Sequence, residues 1–348
     1  MKTLFIGALA LSLLVSCNKS DTPTPTPVTP KPVTPTITAY IPDGWKSLTS
    51  FNSQRVCATS IASGDKLYVG LGYDGSTAYN SSVSNDWYEY DPATAKWTQK
   101  ASFPGVGRAN AVGFALNGKI YVGLGTNYDG NNKADTYADF YEYDPTTDKW
   151  TKKAGFTAPG RDQPVSFAIG NKGYVGTGNT DPFSAVSVTN DFYEYDPATD
   201  KWTAKASVTG VARCRAFGFA VAGKGYIGAG EDRNVAKLAD FYEYDPTADK
   251  WAQKTDFPEV NARARGFDFG TVGMVAGGRA GKSNSVSNTV YQYNPADNTW
   301  TKKSDLASDD DTQKGRFYPI ALTLKSKAYI GLGGYSAGQK DFYEYVPK

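Results

Sequence analysis

The side chains able to do chemistry in this 348-residue chain are arginines and carboxylates, because it contains no histidine. A Ser-His-Asp triad, a Cys-His pair, an imidazole-built zinc site and a histidine-ligated copper centre are all excluded. Arginines stand out by position: Arg55, Arg108, Arg161, Arg213, Arg263 and Arg316 each open a similar segment. An apolar residue follows six places later at Ile61, Phe114, Phe167, Phe219, Phe269 and Leu322. Guanidinium groups gathered in one place attract carboxylates or sulfates. Asp86, Asp139, Asp191, Asp240 and Asp341 recur in step with them, however, and repeated ion pairs would give the arginines an architectural role instead.

Residues that break the repetition are better candidates, since the needs of a scaffold cannot explain them. Two positions after each arginine stand Cys57, Asn110, Gln163, Arg215, Arg265 and Tyr318, a varied and mostly polar set. The expected ligand-binding residues are Asn110, Gln163, Arg215 and Arg265, with Arg108 and Arg161 from the repeated set and Glu231 and Asp268 among the nearby acids, which also include Asp162 and Asp232. If the chain is an enzyme, Glu231 or Asp268 is the candidate general acid or base, although no spacing singles out a pair. The acidic runs at 309–311 and 129–135 lack the glycine and closing glutamate of a calcium loop. No metal and no cofactor is expected. Non-repeated aromatics, Tyr73, Tyr79, Tyr128, Phe183 and Tyr335, are candidates for stacking against a sugar.

The elements that must position these residues are read from the phrase Asp-Phe-Tyr-Glu-Tyr-Asp-Pro, which returns from residues 86, 139, 191 and 240, more loosely from 288, and again from 341. Trp97, Trp150, Trp202, Trp251 and Trp300 follow the first five copies, at a period of about 50 residues that suits a propeller blade. In the second period Arg108 to Leu116 reads as a strand, Asn117-Gly118 as a hairpin turn, and Lys119 to Gly125 as the next strand. A polar loop then leads to Phe140–Tyr143, and the turn at Asp144-Pro145 leads to a fourth strand around Trp150. The tyrosines of the phrase are expected to pack between blades, and its glutamates to pair with lysines near each tryptophan. The last copy ends the chain without a tryptophan, and Trp45 precedes every copy of the phrase. Trp45-Lys-Ser-Leu should therefore supply the missing strand and close a ring of six blades, leaving no free edge.

With an arginine near the first strand, glycines closing the second, a Tyr-Asp-Pro turn and a tryptophan after it, residues 45 to 347 resemble the Kelch repeat family. The resemblance implies an all-β, six-bladed propeller of four antiparallel strands per blade, placed here at residues 39–348. Four blades spell the family's double glycine as Gly-x-Gly (Gly70 and Gly72, Gly123 and Gly125, Gly176 and Gly178, Gly228 and Gly230), while Gly277-Gly278 and Gly333-Gly334 keep the pair. In such a meander the loops joining strands two to three and four to one share a face, and here they are long and unlike one another. Variable loops on a rigid scaffold are where binding residues gather.

The apolar run from Leu4 to Val15, after Lys2, is too short to span a bilayer and reads as a signal peptide over residues 1–16. Leu14-Val15-Ser16-Cys17 resembles a bacterial lipobox, which implies lipid attachment at Cys17. Residues 17–38 are threonine- and proline-rich and favour an extended stalk of up to about 60 Å. Lys19 and Asp21 resemble the surface-export signal of Bacteroidetes lipoproteins. An outer-membrane lipoprotein facing the periplasm or the cell surface is expected, anchored by lipid alone. Lys and Arg number 37 against 35 Asp and Glu with no basic block, which speaks against nucleic acid. Cys57 and Cys214 fall on opposite blades and are expected as free buried thiols in a monomer.

Two functions fit this reading. One is a non-catalytic module presenting its loops and an arginine-rich mouth to a carbohydrate or protein. The other follows from the resemblance: secreted bacterial Kelch propellers include sialic acid mutarotases, whose substrate carries a carboxylate suited to arginine.

Overall fold

A computed structural model of the chain describes residues 42, 44–74, 82–128, 134–184, 187–283, 285–334 and 337–346. The signal peptide, Cys17 and the threonine- and proline-rich segment lie outside the described residues, as do Tyr79 and Tyr335. Chain contacts divide the molecule into Met1–Thr36 and Ile37–Lys348. The second unit alone is described.

The second period shows how the sequence builds a blade. Val112–Leu116, Lys119–Gly123, Phe140–Asp144 and Lys149–Lys153 pair antiparallel in that order. Val112, Phe114 and Leu116 are buried while Gly113 and Ala115 between them are less so, the alternation of a strand with one face on a core. Asn117 and Gly118 both take left-handed backbone (φ 52° and 76°), as the tight hairpin requires. Asp144 ends the third strand by accepting a hydrogen bond from the Thr146 backbone N–H at 3.0 Å. Gly123 cannot carry a side chain, since a Cβ there would lie 2.4 Å from the Asp139 carbonyl oxygen and 2.3 Å from the Phe140 ring.

Six such four-stranded sheets form. Their first strands are Thr59–Ser63, Val112–Leu116, Val165–Ile169, Phe217–Val221, Arg265–Phe269 and Ile320–Leu324. Each touches the first strand of the blade on either side, the last against the first, so the blades close a ring around a central channel. No α-helix occurs among the described residues.

Closure is made by the expected strand. Trp45–Ser47 pairs with Phe342–Tyr345, and the Trp45 ring stacks on Tyr345 with centroids 4.5 Å apart. Trp97, Trp150, Trp202, Trp251 and Trp300 each donate an indole N–H to a carbonyl of the preceding blade linker, as Trp150 does to Ala101 at 2.8 Å and Trp251 to Ala206 at 2.8 Å. Trp45 keeps the packing, but its buried indole nitrogen has no partner among the described residues. The phrase itself is mortar between blades. Tyr90, Tyr143, Tyr195 and Tyr244 are buried, while Glu89, Glu142, Glu194 and Glu243 accept hydrogen bonds from Tyr68, Tyr121, Tyr174 and Tyr226 on the neighbouring second strands. Each of these glutamates also lies within 4.0 Å of a lysine of the fourth strand's end.

Candidate functional site

Five of the recurrent arginines belong to the scaffold. Arg55, Arg108, Arg161, Arg213 and Arg316 are at most 1% exposed, and each holds its own blade's aspartate with both terminal nitrogens. Arg316, for example, lies 2.8 and 2.9 Å from the two carboxylate oxygens of Asp341 and donates to the Leu332 carbonyl as well. A guanidinium so enclosed has its charge paired and both terminal nitrogens engaged, although the Nε of Arg55 and Arg316 has no partner among the described residues. Arg108 and Arg161, expected as ligand-binding residues, are locked to Asp139 and Asp191 and are not among the residues that line the channel mouth.

Blade five departs from the expected register. Asn261, not Arg263, occupies the arginine's place: it donates to the Gly277 carbonyl across the same 16-residue span by which the arginines reach theirs. Thr289 stands where the other blades carry aspartate. Phe267 replaces Phe269 as the matching apolar residue, since it opposes Met274 as Phe114 opposes Tyr121. Blade five has thus lost its internal ion pair, and Arg263 takes the position two residues on. The six equivalent residues are Cys57, Asn110, Gln163, Arg215, Arg263 and Tyr318.

All six take left-handed backbone, with φ between 50° and 65°, an uncommon state for side chains of this size. They are stitched blade to blade by main-chain hydrogen bonds: Asn110 N–H to Cys57 O (3.0 Å), Arg263 N–H to Arg215 O (2.8 Å) and Tyr318 N–H to Arg263 O (2.8 Å). This turn throws their side chains into the channel mouth, where with Arg265 they line a chamber. About 50 Å3 of it admits a water-sized sphere, and about 450 Å3 is empty when the open mouth is counted.

Each chamber group has a definite electrostatic setting. Arg215 donates through Nε to Gln163 Oε1 (2.8 Å) and through Nη1 to Glu231, which is 4% exposed. Burial works against the Arg215 charge, but Glu231 and its other neighbours keep it firmly protonated. Asp162 is 1% exposed and accepts from Asn110 Nδ2 at 2.8 Å and Tyr128 Oη at 2.9 Å. Burial outweighs those donors and raises its carboxyl to about 6. Burial also pushes the Cys57 thiol far up and the Cys214 thiol to about 12, so neither is a thiolate nucleophile near neutrality. Both cysteines are free and buried.

Arg265 is the exception. Its Nε donates to the Pro319 carbonyl (3.3 Å) and its Nη2 to the Ala58 carbonyl (3.2 Å), so the guanidinium reaches from blade five past blade six to blade one. Carbonyls orient it without neutralising it. Among the described residues it has no carboxylate partner, and burial pulls its pKa down from the usual arginine value. The surface it keeps lines the chamber.

Asn110, Gln163, Arg215 and Arg265 are thus brought together, with Glu231 bound behind Arg215 and Asp162 behind Asn110. Asp268 is not with them. It faces the next section of the channel, toward the opposite end, among Ala62, Ala115, Ala168 and Ala220. Its side chain is open to the lumen, yet the surrounding protein raises its carboxyl. The residues missed at sequence level are Arg263, hidden by the wrong register in blade five, and the contact of Tyr128 with Asp162, which joins two loops with no signal in the sequence. No group of His, Cys, Asp and Glu side chains able to hold a metal occurs among the described residues.

Residues 56–154 match the family described as N-acetylneuraminate epimerase, and residues 274–307 match the Kelch motif. A Yersinia enterocolitica protein named N-acetylneuraminate epimerase is 39% identical over 92 residues, 25% of this chain and 21% of that protein. Proteins of the same name from Shigella flexneri and Escherichia coli K12 are each 31% identical over 121 residues, 34% of this chain and 30% of theirs. The chain therefore aligns with less than a third of the length of these curated relatives. The solved structure titled "Structure of YjhT" superposes with a TM-score of 0.72 at 20% identity, covering 85% of this chain and 95% of that one. The chain is a Kelch-type propeller with sequence similarity to N-acetylneuraminate epimerases. The family match covers blades one and two and stops before Arg215, Glu231, Arg263 and Arg265.

Proposed function

We propose that the protein takes a carboxylated sugar at its channel mouth and interconverts the sugar's anomers, acting as a mutarotase on N-acetylneuraminate or a closely similar keto-acid sugar. The observation that carries this reading is Arg265, a guanidinium held in the chamber by carbonyls and lacking a counter-charge. Arg215 is already paired with Glu231, whereas Arg265 has no carboxylate partner among the described residues, so the chamber holds a guanidinium that an anionic head group would neutralise. The similarity to proteins named N-acetylneuraminate epimerase supports the same substrate class.

Opening the ring of such a sugar removes a proton from the anomeric hydroxyl, delivers one to the ring oxygen, and breaks the bond between the anomeric carbon and that oxygen. The product is an open-chain ketone, and closure on its other face reverses the transfers. Two groups able to trade protons suffice. In the proposed complex the substrate carboxylate takes donors of Arg265 and Arg215. This loosens Arg215 from Glu231 and frees Glu231 as one proton carrier. Asp162, with its carboxyl near 6, changes protonation close to neutral pH and is the second. The test is NMR of freshly dissolved N-acetylneuraminate anomers with the purified protein. Wild type should speed equilibration, Glu231→Gln should abolish the effect, and Arg265→Met should weaken binding by about a hundredfold, the loss of a charge-assisted pair. Equilibration at the spontaneous rate with wild type would refute the enzymatic reading.

One observation favours non-catalytic binding: both acids lie behind the chamber wall instead of on it. Saturable binding of the same sugar without faster equilibration would establish that alternative. As to place, we infer that Cys17 carries a lipid that holds the propeller at the outer membrane. Cys17→Ala should release the protein from the membrane fraction, and its retention there would count against the anchor.

A further inference from the structure

The mouth is divided into two chemically different halves. Blades four and five contribute Arg215, Arg263 and Arg265. The other blades present aromatic rings: Tyr318 of blade six packs with Phe317 (5.9 Å between centroids), Tyr73 of blade one lies 6.2 Å from Tyr128 of blade two, and Tyr128 meets Phe183 of blade three edge-on at 5.6 Å. Tyr73, Tyr128, Phe317 and Tyr318 share one apolar cluster with Cys57, which like Tyr318 lines the chamber. Tyr73 is itself buried and backs the row, so the ring surface open to a ligand is that of Tyr318, Phe317, Tyr128 and Phe183, and the Tyr128 hydroxyl ties it to Asp162.

The row ends in the open. Phe183 is 50% exposed, and the other large apolar side chains most exposed in the described propeller, Val346 excepted, are Val106, Val211 and Val235 of the same loop-bearing face. A phenyl ring half in water at the end of an aromatic row is not required by the fold, because the matching loops of the other blades are built differently. Apolar surface of this kind next to a polar anchor marks a ligand subsite.

We propose that this aromatic row is a subsite for an apolar substituent of the ligand, on the side of the mouth opposite the arginines, so that the protein selects carboxylated sugars bearing an acyl or aryl group larger than acetyl. The inference rests on the carboxylated-sugar reading above. With its carboxylate held by the arginines of blades four and five, the sugar would turn what else it carries toward the row on the other side of the mouth. Rings there offer flat apolar area at low entropic cost.

The experiment is isothermal titration of wild type and Phe183→Ser with N-acetyl-, N-butanoyl- and N-phenylacetylneuraminate. Wild type should bind the phenylacetyl sugar about tenfold more tightly than the acetyl sugar. Phe183→Ser should remove most of that gain while binding N-acetylneuraminate as wild type does. The Phe183 ring packs on Tyr128 and its backbone N–H donates to Asp181, apart from Arg215, Arg265 and Glu231, so unchanged acetyl-sugar binding also shows the variant to be folded. If N-acetylneuraminate binds but chain length and Phe183→Ser make no difference, the subsite is overturned and the carboxylated-sugar reading stands. If none of the three sugars binds wild type, both fall.

Discussion

Asp162→Asn isolates the electrostatic cost of the chamber wall. The carboxyl is raised from 3.8 to about 6 by burial, and at 1% exposure solvent screening offers no relief. A shift of about two units corresponds to about 3 kcal/mol. The sign follows from proton binding. The folded protein holds this proton more tightly than the unfolded chain, so the contribution is fully present below pH 4 and is lost as pH rises through about 6. Asparagine keeps an acceptor for Asn110, can donate its amide to the Tyr128 oxygen, and does not titrate. The stability of wild type minus that of the variant should therefore fall by about 3 kcal/mol between pH 4 and pH 7. Urea unfolding followed by tryptophan fluorescence at unit pH steps measures it, with all other titrations cancelling in the difference. A difference that stays flat, or that rises with pH, would refute the reasoning. A rise would mean that Asn110, Tyr128 and the neighbouring arginines stabilise the carboxylate more than burial penalises it.

Arg108→Met should destabilise the propeller by about 2–3 kcal/mol, at the low end for a broken buried pair because Asp139 keeps a quarter of its side-chain surface in water, and should leave sugar affinity unchanged. Calorimetric melting and titration together separate those effects, and a fall in affinity at unchanged stability would return Arg108 to the site. Trp45→Ala should cost about 3–5 kcal/mol, since a large ring 8% exposed is removed from the closing strand. The loss is packing alone, as its indole nitrogen has no partner to lose. Hydrogen exchange should then show blade six opening first, and uniform protection across all six blades would contradict the closure argument.

The fold was legible because a propeller repeats its instructions. Hairpin turns, strand alternation and the tryptophan recur six times, and the two incomplete ends complete each other. The site was legible only in part, for a physical reason visible in blade five. The arginine was located by residue type, and Arg263 supplied the type two residues late. A backbone marker was available: the arginine stands 17 residues before the glycine two places beyond each second strand, as Arg108 does before Gly125 and Arg316 before Gly333. Counted back from Gly278, that place is Asn261. Glycine spacing holds because a Cβ at Gly125 or Gly278 would collide with main chain, whereas an ion pair can be exchanged as a unit. Which acids stand behind which wall residue was not legible, because Asn110 with Asp162 and Arg215 with Glu231 are brought together by loops from different strands.

The exchange in blade five has a consequence for what the channel is. In the other five blades each inward arginine is neutralised within its own blade, which makes the ring stable and electrostatically quiet. Blade five gives up that pair for Asn261 and Thr289 and spends two arginines on the lumen. Arg265 crosses to carbonyls of two other blades, and its desolvation is offset by no carboxylate. A scaffold selected for stability alone would have kept the sixth pair, since replacing it removes a bidentate contact and leaves the Asn261 side-chain oxygen buried without a partner. The departure is local and confined to the channel mouth, and among the described residues it leaves Arg265 there without a carboxylate. In the proposed function an anionic head group would balance it. The match to the N-acetylneuraminate epimerase family ends at residue 154, before blade five begins, so that similarity and the blade-five argument rest on different residues.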